Sequence, residues 1–445
     1  MLMSLDDKAA TQGLDRDAVQ ALQRRKLASL GRRLAQDPGW VAHFAKAGMS
    51  PADLAAEDGL RHAPPLEKAD LRALYPFPLL SVPEERVARF FATSGTTGLP
   101  VLFGFTAEDL DRLLPRQMER LLAAAGVTAR DRLYQGYGYG LWIGGYALDA
   151  GARAVGATAF PIGPGRGELV VRWLKDHGYT AASMSPLWLM TLISLAQEGG
   201  IDPKRDWRLK HGILGGQSVS KGLKDQLEAA LPEGFRAHNI YGTTEAGGPV
   251  LAISTPHTHD DDEMQLLNED SIVTEVLDPE TLQPVAPGEV GEVVVTTLDK
   301  QASPVVKWRT RDLVRLSPRA YDCPSGRHGF PRIGRIVGRS DDMLKVRGVI
   351  VFPSQIEDIV AGVPGTAKEA WQIYIDGARD SLSELVIAVE LLPGVNRPRD
   401  EVCGEIRRQV RARLGIRCTV ECHDVGVLPR YEAKAVRVLT REPAA

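Results

Sequence analysis

Between residues 158 and 241 short apolar runs alternate with amphipathic ones, and that alternation admits few folds. Thr158–Ile162, Tyr179–Ser183, Lys210–Leu214 and His238–Tyr241 read as strands. Glu168–Asp176, Leu187–Leu195 and Lys221–Leu231, lying between them, read as helices. Such an order predicts an α/β domain whose sheets are covered by helices. Beyond 241 the pattern changes. Residues 272–277 and 289–297 read as strands with no helix to follow, so a small β subdomain is expected to close this region. Residues 338–445 read as a smaller α+β unit. Its helices are Ser354–Val360 and Glu401–Leu414, the latter with Val402, Ile406, Val410 and Leu414 on one face. Its strands are Trp371–Ile375, Glu384–Leu391, Arg417–Cys422 and Val436–Leu439. The polar step at Ser340–Asp342 marks a boundary, giving an N-terminal domain over 1–340 and a C-terminal domain over 341–445.

Within 16–35, Val19, Leu22, Leu27, Leu30 and Leu34 recur at helical spacing, and Arg24, Arg25, Arg32 and Arg33 form a face that reads as solvated. The whole chain has 445 residues, 44% hydrophobic and 25% charged, which excludes a wholly disordered polypeptide and allows a sizeable core. Its net charge of −3, from 54 basic and 57 acidic side chains, supplies no cationic field to gather nucleic acid or an anionic membrane. No run approaches the roughly 18 apolar residues of a membrane span. The acidic start Met1–Asp7 lacks an apolar signal core. The expected location is cytoplasmic. The four cysteines are too sparse for a disulfide framework and fit a reducing compartment. Cys418 and Cys422 share one face of an expected strand and read as core.

Five segments carry chemistry. Thr93-Ser94-Gly95-Thr96-Thr97-Gly98 packs hydroxyls and glycines after the apolar Phe90-Phe91-Ala92. Backbone and hydroxyl donors there can converge on phosphate oxygens, although no Gly-Lys-Ser/Thr follows as in a Walker A loop. Tyr241-Gly242-Thr243-Thr244-Glu245 follows an expected strand, the position where open α/β sheets bind ligands. A carboxylate beside hydroxyls suits Mg²⁺ shared with phosphates, and Tyr241 suits a planar ring. Asp312, in Lys307-Trp308-Arg309-Thr310-Arg311-Asp312, can accept from sugar hydroxyls. Gly338–Gly348 spans the domain boundary as a hinge, and Leu428–Ala435 contains Lys434. Taken singly, each also reads as an ordinary turn, ion pair or surface charge.

In this order and spacing the segments resemble the adenylate-forming superfamily of acyl-CoA synthetases, and more closely the phenylacetate–coenzyme A ligase family. Tyr75–Pro83 is similar to that family's lead-in to the phosphate loop. Gly338–Gly348, continuing into Val351–Glu357, is similar to its most distinctive stretch. The resemblance covers nearly the whole chain. It implies a large N-terminal domain and a smaller mobile C-terminal domain. It implies ATP-dependent activation of a carboxylic acid as acyl-adenylate, then transfer to the thiol of coenzyme A. Thr93, Ser94, Gly95, Thr96, Thr97 and Gly98 would hold the leaving phosphates. Tyr241 would lie against adenine, with Gly215 and Gly216 lining the same pocket, and Gly242 and Thr243 would complete the nucleotide site. Thr244 would contact the α-phosphate and Glu245 would bind Mg²⁺. Asp312, supported by Arg339, would bind ribose. Lys434 would reach the reacting carboxylate and α-phosphate, and Asp341 would be the hinge.

The acid site implied by the resemblance is Tyr137-Gly138-Tyr139-Gly140-Leu141-Trp142-Ile143-Gly144-Gly145. Its glycines permit close approach, and Tyr137, Tyr139 and Trp142 can stack on a planar acid. Trp142 stands where the family usually has Phe, Tyr146 follows the glycine pair, and Ala147–Ala150 also departs from the pattern. The expected substrate is therefore an aryl or heteroaryl acid, not necessarily phenylacetate. Gln217 follows Gly215-Gly216 where the family usually has Glu. Many relatives carry a zinc site with a Cys-Pro-Cys-Gly run. Here the run is Cys323-Pro324-Ser325-Gly326 and Leu266 falls at a family His. His257, His259, Cys323 and His328 read as scattered, and zinc is not expected. Transfer of the acyl group to a carrier protein, amine or hydroxyl stays open as an alternative, as do a catalytically silent binding protein and, by analogy, a homodimer.

Overall fold

A computed structural model of the chain describes residues 15–441, apart from 76, 78, 94–99, 218, 323–327, 377–378, 380–381, 383, 395–396 and 430–435. These form two compact units. One comprises Met1–Gly215, Leu227–Thr310 and Val314–Arg335, and the other Gly216–Gln226, Arg311–Leu313 and Ile336–Ala445.

In the first unit, helix α1 (Arg16–Leu34) is capped by Asp15, which accepts from Ala18 N–H at 2.8 Å. Val19, Leu22, Leu27, Leu30 and Leu34 are all buried, so the apolar stripe is the packing face. Arg24, Arg25 and Arg32 are exposed as expected. Arg33 turns inward instead, and its Nη2 donates to the Lys300 carbonyl at 2.6 Å.

Strands β1 (Val87–Ala92) and β2 (Leu102–Thr106), on either side of the Thr/Gly segment in sequence, make a separate antiparallel pair. The parallel strands are β3 (Arg132–Gln135), β4 (Thr158–Phe160), β5 (Ala181–Met184), β6 (His211–Leu214) and the first half of β7 (Arg236–Thr243). Helices α2 (Gly144–Val155), α3 (Gly167–Asp176), α4 (Pro186–Glu198) and α5 (Lys221–Ala230) alternate with them, as parallel pairing requires. All four residues of β5 are buried, which is the mark of a strand covered on both faces.

Strand β7 is where the sheet changes direction. Arg236–Asn239 register with β6, while Ile240, Tyr241 and Thr243 pair antiparallel with β8 (Gly248–Ile253). Then follow β9 (Glu263–Leu266), β10 (Ile272–Leu277), β11 (Val290–Thr297), β12 (Trp308–Leu316) and β13 (Arg332–Arg339). The expected β-only region, 272–277 and 289–297, is β10 and β11. Its strands continue the ladder of the same eleven-stranded sheet, in the order β10-β11-β12-β13-β9-β8-β7-β6-β5-β3-β4.

The second unit carries a hairpin of β14 (Leu344–Val346) and β15 (Val349–Val351). Its two-residue loop holds Arg347 at φ 50° and Gly348 at φ 85°, the left-handed pair that a tight hairpin demands. Helices α6 (Pro353–Ala361) and α7 (Arg399–Leu414) accompany a four-stranded sheet of β16 (Thr366–Ile375), β17 (Leu385–Leu391), β18 (Cys418–His423) and β19 (Val438–Thr440). Its core joins Val402, Ile406 and Val410 of α7 to Trp371, Ile373, Ile387 and Val389. Cys418 is buried, as expected. Cys422 is half-buried and packs against the same core, and it is paired as a disulfide with Cys403 of α7, the Cα atoms lying 6.5 Å apart.

Among the described residues, no helix is long and apolar enough to cross a membrane.

Candidate active site

The turn after β7 is built from its glycines outward. A Cβ on Gly242 would lie 2.1 Å from the Gly248 carbonyl, so only glycine lets these strands close. Gly247 at φ 116° and Gly248 at φ 110° complete the reversal. Thr243 Oγ1 accepts from Ala246 N–H at 3.3 Å and the Thr244 carbonyl from Gly247 N–H at 3.1 Å. Thr244 and Glu245 are both buried, and burial pushes the Glu245 pKa up against a hydrogen bond from its own backbone and one from Thr243. A carboxylate so placed favours a cation, and with neighbouring hydroxyls it fits Mg²⁺ completed by phosphate oxygens and water. Tyr241 is 8% exposed.

The aromatic segment after β3 is organised by Gln135, which is wholly buried. Its Nε2 donates to the carbonyls of Tyr137 at 2.9 Å and Gly145 at 3.4 Å, and its Oε1 accepts from Tyr137 N–H at 2.6 Å. Tyr137 is buried, and its hydroxyl donates to the Met184 carbonyl at 2.6 Å and accepts from Gly215 N–H at 2.7 Å. It thereby ties the aromatic segment to the glycine that ends β6. Its ring meets Trp142 edge-on at 5.3 Å. Trp142 lies so close to Gly144 that a Cβ there would be 2.3 Å from the indole. Gly145 is equally constrained, a Cβ there coming within 2.4 Å of the Gly138 carbonyl. Tyr139 is exposed, and Tyr146 packs on Phe91 at 5.8 Å beneath Arg89.

Ala92, which precedes the Thr/Gly segment, touches the aromatic segment. Ala92 N–H donates to the Leu141 carbonyl at 2.7 Å, and Thr93 N–H to the Val101 carbonyl at 3.0 Å. Ser94, Gly95, Thr96, Thr97 and Gly98 lie outside the described residues, as does Lys434.

In the second unit Arg339 gathers the expected ribose and hinge residues. Its Nη1 donates to Asp312 at 2.7 Å, while Nε and Nη2 grip Asp341 at 2.8 and 3.0 Å. Burial works against its charge, but Asp312, Asp341 and Asp342 outweigh that and hold its pKa up. Gly216 adopts φ 80°, a left-handed turn residue directly after Gly215. The expected residues therefore form two groups, one in each unit. Gly215, Tyr137, Tyr139, Trp142, Gly144, Gly145, Thr93 and Tyr241–Glu245 belong to the first, and Gly216, Asp312, Arg339 and Asp341 to the second.

Sequence reasoning misses Gln135 and Lys300. Lys300 Nζ donates to the Glu245 carbonyl at 3.0 Å. Neither sits in a recognisable motif, and only the sheet brings them to the site. His259 lies 2.9 Å from Glu228, and His328 Nδ1 lies 3.2 Å from the Tyr321 carbonyl, while Cys323 falls outside the described residues. Among the described residues, no cluster of three or more His, Cys, Asp or Glu side chains could hold a metal ion.

Comparison with known proteins bears on this geometry. Residues 34–298 match the family model described as AMP-binding enzyme, and residues 348–441 match the AMP-binding enzyme C-terminal domain. The chain is 35% identical over 448 residues to a phenylacetate-coenzyme A ligase of Pseudomonas putida, with 98% of each chain covered. It is 35% identical over 428 residues to the phenylacetate-coenzyme A ligase of Escherichia coli strain K12, covering 95% of this chain and 94% of that one. A solved structure of 2-hydroxyisobutyryl-CoA ligase, in its postadenylation state with 2-HIB-AMP, agrees with a TM-score of 0.87 at 25% identity, over 99% of this chain and 94% of that one.

Proposed function

The chain belongs to the phenylacetate–coenzyme A ligase family of AMP-binding, adenylate-forming enzymes, and from that premise we propose that it joins an aryl or heteroaryl carboxylic acid to coenzyme A. The acid's carboxylate attacks the α-phosphate of ATP, giving acyl-adenylate and pyrophosphate. The coenzyme A thiol then attacks the acyl carbonyl and AMP leaves.

The observation that supports an aromatic acid is the edge-on pair of Tyr137 and Trp142, with the indole lying against Gly144. A paired aromatic surface of this kind suits a flat ring better than a long flexible chain. The Tyr137 hydroxyl fixes that surface to Gly215, so acid and nucleotide segments are held to one register.

Both reactants of the first step are anions, so the protein must reduce their repulsion and align them. Glu245 is the Mg²⁺ ligand in this reading, and that ion, when bound, neutralises phosphate charge. Thr244 orients the α-phosphate. Thr93, Ser94, Gly95, Thr96, Thr97 and Gly98 hold the leaving phosphates. Tyr241, Gly215, Gly216, Gly242 and Thr243 line the nucleotide site, and Asp312, held by Arg339, takes the ribose hydroxyls. Lys434 supplies the second cation to the reacting carboxylate. Residues 341–445 act as a mobile domain hinged at Asp341.

Mass detection of the products with and without coenzyme A tests the acceptor. Free acyl-CoA that appears only when coenzyme A is present supports the reading. Acyl transfer to a carrier protein, with no free acyl-CoA, contradicts it.

A further inference from the structure

The structure assigns Lys300, which no motif contains, as the positioning residue that fixes Glu245 for Mg²⁺ and ATP. The assignment rests on the reading of Glu245 as the Mg²⁺ ligand.

Lys300 is 2% exposed. Its Nζ donates to the main-chain carbonyl of Glu245 at 3.0 Å and lies 4.3 Å from the ring centre of Phe105 and 5.0 Å from that of Phe103. An ammonium over two aromatic faces, shut away from water, interacts more strongly with a carbonyl dipole than it would at the surface. It is also expensive to bury: desolvation pulls its pKa down to about 8, against the attraction of Asp109 and Glu245.

The turn that carries Lys300 is clamped at successive residues. Lys26 pairs with Asp299 at 2.5 Å, Arg33 holds the Lys300 carbonyl, and Asp109 accepts from the N–H groups of Gln301 at 2.8 Å and Ala302 at 3.2 Å. Asp109 also accepts from Thr106 N–H at 2.9 Å, so its carboxylate is occupied by backbone donors. The base of Lys300 is held by these contacts, and its tip holds the carbonyl bonded to the Cα that carries the Glu245 side chain. Restraining that carbonyl restrains the Cα from which the carboxylate is presented.

The test is Lys300→Met, which keeps length and apolar packing against Phe103 and Phe105 but loses the donor and charge. The Mg²⁺ concentration for half-maximal acid-dependent pyrophosphate exchange should rise about tenfold, in line with the loss of one charged hydrogen bond. The melting shift caused by Mg·ATP should shrink, while the KM for the acid and the melting temperature without ligand stay near wild type. Lys300→Arg should recover part of the Mg²⁺ effect. A wild-type Mg²⁺ dependence in Lys300→Met overturns the assignment, as does a parallel loss of melting temperature, Mg²⁺ response and acid KM. If Lys300→Met does not fold, Phe105→Leu, which thins the aromatic floor but keeps the ammonium, must show the same Mg²⁺-selective shift. Glu245→Gln run in parallel separates the two layers. If it leaves Mg²⁺ dependence unchanged, the role of Glu245 fails and this inference with it. If it shifts Mg²⁺ dependence and Lys300→Met does not, this inference alone fails.

Discussion

Arg339 holds Asp312 through a 2.7 Å hydrogen bond from Nη1 while its other two nitrogens, Nε and Nη2, grip Asp341. One guanidinium thus sets both the expected ribose ligand and the expected hinge. Removing it takes a charged hydrogen bond from a carboxylate that is only 14% exposed, where such a loss is costly. Arg339→Gln should raise the KM for ATP about tenfold to a hundredfold, as expected for lost charged hydrogen bonds. Arg339→Lys should recover little, because a single ammonium lacks the planar fork. Steady-state kinetics with ATP varied decide this, and an unchanged KM contradicts the role.

Tyr137 gives a prediction about stability. Its hydroxyl serves two buried backbone groups, Met184 C=O and Gly215 N–H. Tyr137→Phe leaves both unserved at a cost of about 1–3 kcal/mol. The melting temperature should fall by several degrees, and the acid KM should rise as the aromatic surface loosens. Loss of neither would show that the tie is incidental.

The Lys434 proposal separates the two half-reactions. Adenylation joins two anions and needs its charge, whereas thioester formation begins from a mixed anhydride already made. Lys434→Ala should lower acid-dependent pyrophosphate exchange by roughly 10²–10³, the scale of one key electrostatic donor. Conversion of supplied acyl-adenylate to thioester should largely survive. Equal loss of both steps contradicts the role.

Glu269 makes stability depend on pH. It is 1% exposed, with Gln23 Nε2 donating to it at 3.2 Å and Arg16 lying 3.8 Å away. Burial outweighs these partners and pushes its pKa from 4.5 to about 7. The folded state therefore binds this proton more tightly than the unfolded chain. That stabilisation is complete below the unfolded value and is lost as pH rises through about 7. Glu269→Gln cannot lose a proton, so its melting temperature should change less than wild type between about pH 5.5 and pH 8. Melting curves of both proteins at the two pH values measure this. An identical pH response would show that Glu269 ionises freely.

Local pattern carries much of this architecture. The stripe of α1, the β5 run and the helices between parallel strands are legible because burial alone sets their spacing. Tyr241–Glu245 is legible as a turn at the end of a strand, since glycines and hydroxyls announce it. The joining of β10 and β11 to the main sheet is not, because a strand's sequence does not name its neighbour. Lys300 and Gln135 are invisible for the same reason. A buried lysine looks like a surface lysine until Phe103, Phe105 and Glu245 are folded around it. Arg33 looks like its solvated neighbours until Lys300 presents a carbonyl.

The most direct test of the central claim is carboxylate-dependent exchange of labelled pyrophosphate into ATP, screened across aryl, heteroaryl, short branched hydroxy and long aliphatic acids. The account predicts exchange that requires Mg²⁺ and is greatest with a flat aromatic or heteroaromatic acid. Exchange greatest with long aliphatic acids, or none with any carboxylate, would contradict it.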